Sequence, residues 1–591
     1  MKGSEILGKF NLIDENWILV LDTTGETKEI SLTELFANAQ NYKCLAGEMK
    51  TQDFAILRIL LAVIQTVFSR FDADGNPYDY IDLDDRFRQI EDVDEDDLSA
   101  YKKDLKRTWK NLWKAGEFPD IVNEYLDKWR DRFYLLDDKY PFMQVSEDII
   151  KENSKSKKPT LLKGKTINLT INQASTSSKI SLFSPREEKS KNKLDCDELT
   201  RWLISYHGYT NVSDKATFAK DKYQPSNCGW LYELGGIYLE GKNLFETLML
   251  NFVIFNPTNE NYLSIKQNPI WENEYKDVIF KLINFSMPDN VAELFTTVSR
   301  AVFIDSNINS NDVSIGVCKL PALEKTNYDL EPMTIWKKTD NNFIPKVFKL
   351  DKAIWRDYGL LTQSNVDNWK PGVLGFIDLM QEEIGPSYYS LNGISMKDNG
   401  NSNSKTPVCV VHSRFMIKNV ILNDNKSDGW NIRIKEEVEL TNKIMDKVYK
   451  VFLTKYCYLL DYDKKIINSL LEKTYFKLNR PFQEWILSIN ENDSIEDKVI
   501  EWRQILERTL KNEATELIKN TSDRIYFSIL KIKNKNKEDK KENIGMIYNT
   551  YVKLLKHNLW RDVKWVMMRI KEITIKNITT FIMLLIVYLS I

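Results

Sequence analysis

The densest run of groups able to do chemistry lies between Tyr78 and Tyr101 (YDYIDLDDRFRQIEDVDEDDLSAY), where carboxylates crowd as they do around nuclease metals. Just upstream, Asp72-Ala73-Asp74-Gly75 carries a fragment of the D-x-[DN]-x-[DN]-G calcium loop and lacks the remaining ligands. The chain has three histidines, His207, His412 and His557, and none lies near this run. A metal-dependent nuclease acting on DNA is therefore one reading, and a solvated helix face with its loops, the commoner use of such runs, is the other.

Six cysteines (Cys44, Cys196, Cys228, Cys318, Cys409 and Cys457) are scattered without a CxxC pair, so neither a zinc site nor a disulfide framework is expected. That usage fits the cytoplasm. There is no G-x-x-x-x-G-K-[ST] loop, no H-E-x-x-H and no G-x-S-x-G, and the single Gly235-Gly236 pair is too little to hold a nucleotide. No catalytic residue, metal or cofactor is expected.

Lys plus Arg (83) nearly balance Asp plus Glu (85), so a nucleic-acid site has to be a local basic patch. Three segments offer one. Lys155, Lys157, Lys158, Lys163, Lys165 and Lys179 precede Ile180-Ser181-Leu182-Phe183; Thr334 to Thr339 (TIWKKT) holds Lys337 and Lys338; and Lys531 to Lys541 reads KIKNKNKEDKK. Between the first two, Pro225-Ser226-Asn227-Cys228-Gly229 is a turn-forming run in which backbone could approach a partner with no Cβ in the way.

The elements that must position these groups follow from periodicity. Phe10 to Val20 and Glu29 to Ser31 around Thr-Thr-Gly-Glu predict a β-hairpin. Phe54, Leu57, Leu60, Leu61, Ile64 and Val67 predict a helix over Thr51 to Arg70. Lys151 to Lys193, poor in large apolar residues, predicts a long mobile loop. Tyr388 to Ser395 and Val408 to His412 read as strands flanking the turn Met396 to Lys405 (MKDNGNSNSK). Beyond Asp428, Pro and Gly nearly vanish, and Val438 to Leu460, Ile495 to Ile518 and Thr521 to Ile532 read as helices.

With 591 residues and 42% hydrophobic content the chain exceeds one core, so an α+β protein of two domains is expected. A mixed domain over 1–428 would carry the loops, and 429–591 would form an antiparallel, four-helix-type bundle. No secretory signal is expected from MKGSEILGKFNLIDENW, and Ile578 to Ile591 (ITTFIMLLIVYLSI) is shorter than the roughly 20 residues of a membrane span, so it reads as a buried terminal helix and no membrane association is expected.

Three segments resemble one family. Asn11 to Val20 (NLIDENWILV), Tyr140 to Val145 (YPFMQV) and Gly229 to Leu250 (GWLYELGGIYLEGKNLFETLML) are similar, in order, to the opening, the Pro-Phe-Met-Gln segment and the Gly-rich turn, strand and helix of CasA, the large subunit of the type I-E CRISPR Cascade complex. Asn268-Pro269-Ile270-Trp271 and Ser299 to Phe303 add softer matches. The resemblance implies a non-enzymatic antiviral surveillance subunit that recognises the protospacer-adjacent motif (PAM) in double-stranded DNA and helps open the duplex into an R-loop for crRNA pairing. Its partners would be the other Cascade subunits, the crRNA ribonucleoprotein, target DNA and a recruited helicase-nuclease. Residue by residue, it implies that Asn227, Cys228 and Gly229 face the minor groove with Lys337 or Lys338 beside them. Lys397, Asn399 and Asn401 would form a wedge where a glutamine is familiar, and Phe183 would anchor the chain to the complex. A protein-only scaffold is the remaining alternative.

Overall fold

A computed structural model of the chain describes residues 10–153, 158–170, 186–211, 216–219, 223–256, 263–285, 287–305, 313–323, 330–340, 342–364, 368–385, 387–400, 405–532 and 540–561. Phe183, Asn401 and the apolar run Ile578 to Ile591 lie outside them. Two compact units are present: one comprises the chain up to Leu350 with Leu360–Asn423, the other Asp351–Gly359 with the chain from Asp424 onward.

The first unit is mixed. β1 (Ile18–Asp22) and β2 (Thr27–Ile30) form the predicted hairpin, and β3 (Tyr42–Leu45) adds to the other edge of β1. The strand starts later than predicted. Asn11 turns the chain first, its Oδ1 accepting the Ile13 amide at 3.0 Å, and Trp17 enters the core before Ile18 pairs.

α1 (Lys50–Phe68) is the predicted amphipathic helix with more than one face covered, since every residue from Thr51 to Phe68 is buried. A helix apolar around most of its circumference belongs in a core. α2 (Leu98–Ala115), α3 (Cys196–Tyr209), α4 (Leu244–Asn251) and α5 (Gly372–Ile384) are further helices of this unit, and α1 packs on α3 and α4.

Three further antiparallel sheets follow. β7 (Ser314–Lys319) lies between β4 (Thr160–Lys163) and β6 (Arg300–Ile304), and β8 (Trp336–Lys338) lies between β9 (Phe343–Pro345) and β10 (Asn368–Trp369). β11 (Tyr388–Asp398) lies between β12 (Pro407–Lys418) and β5 (Gly236–Glu240), and packs on α1. β4 corrects the expectation of a structureless loop over Lys151 to Lys193: Thr160 to Lys163 has strand propensity and finds a ladder on β7, burying Leu162.

The second unit is mostly helical. α6 (Trp430–Ile444) runs through a π-helical turn, Met445–Tyr449, into α7 (Lys450–Leu459). α8 (Lys464–Ser488), α9 (Ile495–Lys519) and α10 (544–561) follow. α8 packs on α7 and α9, and α9 also packs on α6. Their apolar faces meet in a layer of rings, with Trp485 stacked on Trp502 at 5.4 Å and Phe482 on Trp355 at 4.3 Å. Each such ring, fully buried, contributes about 1.5–3 kcal/mol.

The helix predicted over Thr521 to Ile532 is not formed. Only Arg524–Phe527 is helical, and β13 (Leu530–Ile532) pairs with β14 (Lys540–Glu542). Thr521 and Ser528 turn their hydroxyls onto nearby carbonyls, Leu517 and Arg524, and Leu530-Lys531-Ile532 alternates with the period of a strand.

Candidate nucleic-acid interface

The register of one sheet gathers the candidate residues. β5 begins at Gly236, which pairs with Ile394, so the strand of β11 beyond Ile394 and the chain entering β5 leave the sheet at the same edge. The described ends of the β11–β12 hairpin, Lys397 to Gly400 and Lys405, and the turn at Asn227 to Gly229 therefore share that edge. The 331–346 segment joins them: the Ile237 amide donates to the Met333 carbonyl at 2.8 Å, and the Thr334 hydroxyl donates to the Gly235 carbonyl at 2.8 Å.

Within the turn, Asn227 has an exposed side chain. Cys228 is 7% exposed, and burial pushes its thiol up to about 11, so it is a packing residue and not a reactive thiolate. Gly229 faces inward as well. Its amide donates to Thr210 at 3.0 Å, and a Cβ there would lie 2.3 Å from the Gly208 carbonyl oxygen at the end of α3. The missing side chain makes room for α3, which corrects the expectation that it makes room for a partner; of the three, only the Asn227 side chain projects outward.

The next residue explains how the turn is held. Trp230 packs against Trp336 of β8 with ring centroids 6.4 Å apart, and its indole N–H donates to Glu331 at 2.9 Å. Glu331 takes both guanidinium nitrogens of Arg58 on α1 at 2.8 Å, with side-chain exposures of 0% and 2%. Arg58 also lies 4.2 Å from the centre of the Phe295 ring. The turn is thus tied by a buried, bidentate ion pair to the central helix.

β8 presents the lysines. Trp336 is buried, Lys337 is half-buried and Lys338 exposed, and neither lysine has an ion-pair partner among the described residues. Across the edge, Lys397 and Asn399 are exposed at the end of β11, where the ladder shifts register at Lys397 and Asp398. On the returning arm Lys405 adopts a left-handed φ of 40°; its ammonium pairs with Glu233 and lies 3.8 Å from the Cys228 sulfur, and its carbonyl accepts the Tyr232 hydroxyl.

One residue therefore fastens the hairpin to the turn. A left-handed lysine costs about 1–2 kcal/mol, and the partly exposed Glu233 pair returns at most about 1 kcal/mol. Lys405→Gly should accordingly match wild type in melting temperature within a degree or two while hydrogen exchange at Met396 to Gly400 rises severalfold. Unchanged exchange would show that the hairpin needs no fastening.

The acidic stretch is used structurally. Asp72 accepts the Asp74 and Asn76 amides at 2.9 Å, Asp84 accepts those of Arg86 and Arg88 at 2.9 Å, and Asp104 takes the Tyr80 hydroxyl at 2.7 Å. Among the described residues no group of three or more His, Cys, Asp or Glu side chains is placed to hold a metal ion. His207 is buried in the core with Nε2 at 3.0 Å from the Met143 carbonyl, and burial lowers its pKa to about 4.

Sequence reasoning named the turn, the lysines and the tip. It missed Arg58, Trp230, Glu233 and Glu331, which position them. Glu331 just before TIWKKT was the one available signal: an acid flanked directly by Leu330 and Pro332-Met333 invites a buried partner.

The fold and this edge define a two-unit α+β protein whose candidate site is a surface of loops around a rigid sheet. The chain belongs to the family of the CRISPR-associated protein Cse1, whose family model matches residues 11–516. A curated relative, the CRISPR-associated protein CasA/Cse1 of Thermus thermophilus, is 26% identical over 278 residues, and that match spans 45% of this chain and 42% of the relative. In fold the chain is similar to Thermobifida fusca Cse1 (TM-score 0.70, 20% identity, covering 93% of this chain and 98% of the other). It is also similar to a chain of a CRISPR RNA-guided surveillance complex (TM-score 0.60, 14% identity, covering 92% and 99%).

Proposed function

We propose that this chain is the large subunit of a Cascade-type, RNA-guided surveillance complex of the cytoplasm. It reads a PAM in duplex DNA, helps open the duplex for crRNA pairing and supports recruitment of a helicase-nuclease, with no catalysis of its own. The observation that carries the reading is the convergence, at one sheet edge, of an exposed Asn227, two lysines on β8 with no ion-pair partner among the described residues, and the exposed Lys397 and Asn399 at the end of β11. Family membership and the likeness to a surveillance-complex chain support it.

The chemistry fits a permissive reader. A side-chain amide and a lysine at the minor groove distinguish mainly A·T from G·C. Sequence would be read by the guide, and a hairpin inserted at the first opened base pair would offset lost stacking. The helical unit is read as the bundle that completes the subunit.

The test is binding of PAM-bearing duplex by the chain assembled with crRNA and its partner subunits. Lys337→Ala with Lys338→Ala should weaken binding and lower the slope of log K against log salt by about 0.9 for each phosphate that is no longer neutralised. An unchanged slope would remove the lysines from the interface. Labelled duplex should stay intact in Mg²⁺ or Mn²⁺; cutting that disappears on mutating the acidic stretch would favour the nuclease, and failure to bind any duplex would favour a scaffold.

A further inference from the structure

A surface that accepts DNA has to deal with Glu233. This residue ends the short helical turn Trp230–Tyr232 that follows Gly229, and a bare carboxylate there repels phosphates. Lys405 covers it: the ammonium pairs with Glu233 and lies 3.8 Å from the Cys228 sulfur.

The same edge holds two ion pairs of opposite character. Arg58 and Glu331 are sealed, with side chains 2% and 0% exposed, so no ligand reaches them. Lys405 and Glu233 are 21% and 33% exposed, open to water and to any anion that docks beside them. A pair so placed is held weakly, and a phosphate oxygen can take the same ammonium by a charge-assisted hydrogen bond.

The backbone of Lys405 adds a bias toward release. Its φ of 40° is left-handed, where a Cβ crowds the carbonyl. Glu233 on the ammonium and the Tyr232 hydroxyl on the carbonyl hold it there. From Lys405 the chain enters the returning arm of the hairpin, which is tied to the outgoing arm where the Asn399 amide donates to the Thr406 carbonyl at 3.0 Å. Strained backbone held by a contact that a ligand can replace is the makeup of a switch.

We infer that Lys405 is a phosphate ligand held in reserve: Glu233 occupies its ammonium in the free protein, and a backbone phosphate of the bound duplex displaces Glu233 and frees the hairpin arm from the turn. The inference rests on the reading of this edge as a duplex-binding surface, and adds to it one contact and an order of events. The phosphate binds only the opened pair, so docking itself shifts the hairpin from fastened to free.

The test is binding of a guide-matched, PAM-bearing duplex over a salt series by the chain assembled with crRNA and its partner subunits. Lys405→Gln should lower the slope of log K against log salt by about 0.9, one phosphate, and Lys405→Arg should restore it. Glu233→Gln should leave the slope at the wild-type value and tighten binding roughly threefold to fivefold, the worth of a partly exposed pair that no longer has to open. Both side chains reach solvent, so these variants should melt like wild type.

Relief of plain repulsion would also tighten binding, and the double variant separates the two causes. If a phosphate displaces Glu233, removing Glu233 gains more with Lys405 present than in Lys405→Gln, because only the first case is relieved of both the broken pair and the repulsion. If the pair stays closed on DNA, Lys405 screens Glu233 and the order reverses. A reversed order, or a slope that Lys405→Gln leaves unchanged, overturns the inference and leaves the duplex reader standing. A wild-type complex that binds no duplex overturns both.

Discussion

Glu331→Gln should lower the stability of the first unit by about 3–5 kcal/mol, the usual consequence of removing one partner of a buried ion pair. Arg58, 2% exposed, would keep its charge with only a neutral amide in front of it, and the amide cannot accept the bidentate fork. The same carboxylate takes the Trp230 indole and the Met333 amide, so the loss spreads from the core to the turn and to the strand entering β8.

The companion variant separates the two consequences. Arg58→Met with Glu331→Leu removes both charges and should recover most of the stability, since apolar replacements of a buried pair are often neutral or better. It returns no acceptor to Trp230. The double variant should therefore melt near wild type while amides of Trp230 to Glu233 exchange faster, and, if the turn reads DNA, bind PAM-bearing duplex more weakly. A double variant as unstable as Glu331→Gln would mean that packing around Arg58, and not charge pairing, holds this region.

The sequence shows which segments matter and conceals what holds them. The opening hairpin, α1, α9 and the strands flanking Met396 to Lys405 are legible because each announces its own period or turn. Thr521 to Ile532 is misread because a three-residue strand followed by lysines has too few apolar positions to separate period 2 from period 3.6. Asp351–Gly359 is invisible for a different reason. Its membership of the second unit rests on Trp355 donating to Asn479 at 2.8 Å and Arg356 pairing with Glu472, partners more than a hundred residues apart in the chain.

The same limit governs the site. A turn rich in Ser, Asn and Gly is readable as a turn, but which way each residue faces depends on α3, and nothing in Pro225 to Gly229 mentions it. Read alone, Gly229 looks like an opening for a ligand. Placed against Gly208, it is a close approach of two backbones.

That approach gives the second large effect. Gly229→Ala should cost about 3 kcal/mol or more, at the upper end of what added volume in a packed core does. The new Cβ would meet the Gly208 oxygen at 2.3 Å and the Gly208 carbon and His207 oxygen at 2.5 Å. All are backbone atoms at the end of a buried helix and cannot rotate away. The His207 carbonyl also accepts the Ser299 hydroxyl at 2.7 Å, so α3 cannot retreat without breaking that hydrogen bond. Gly208→Ala is the control. Its Cβ would come within 2.7 Å of a Leu231 methyl, the free end of a side chain, and alanine gains about 1 kcal/mol over glycine within a helix. Thermal melts should place Gly208→Ala near wild type and Gly229→Ala well below it. Asn227→Ala, whose side chain is exposed, should melt like wild type and alone report any direct contact with DNA. Equal melting of the two glycine variants would return Gly229 to the surface and restore the reading of its missing Cβ as an approach for a ligand.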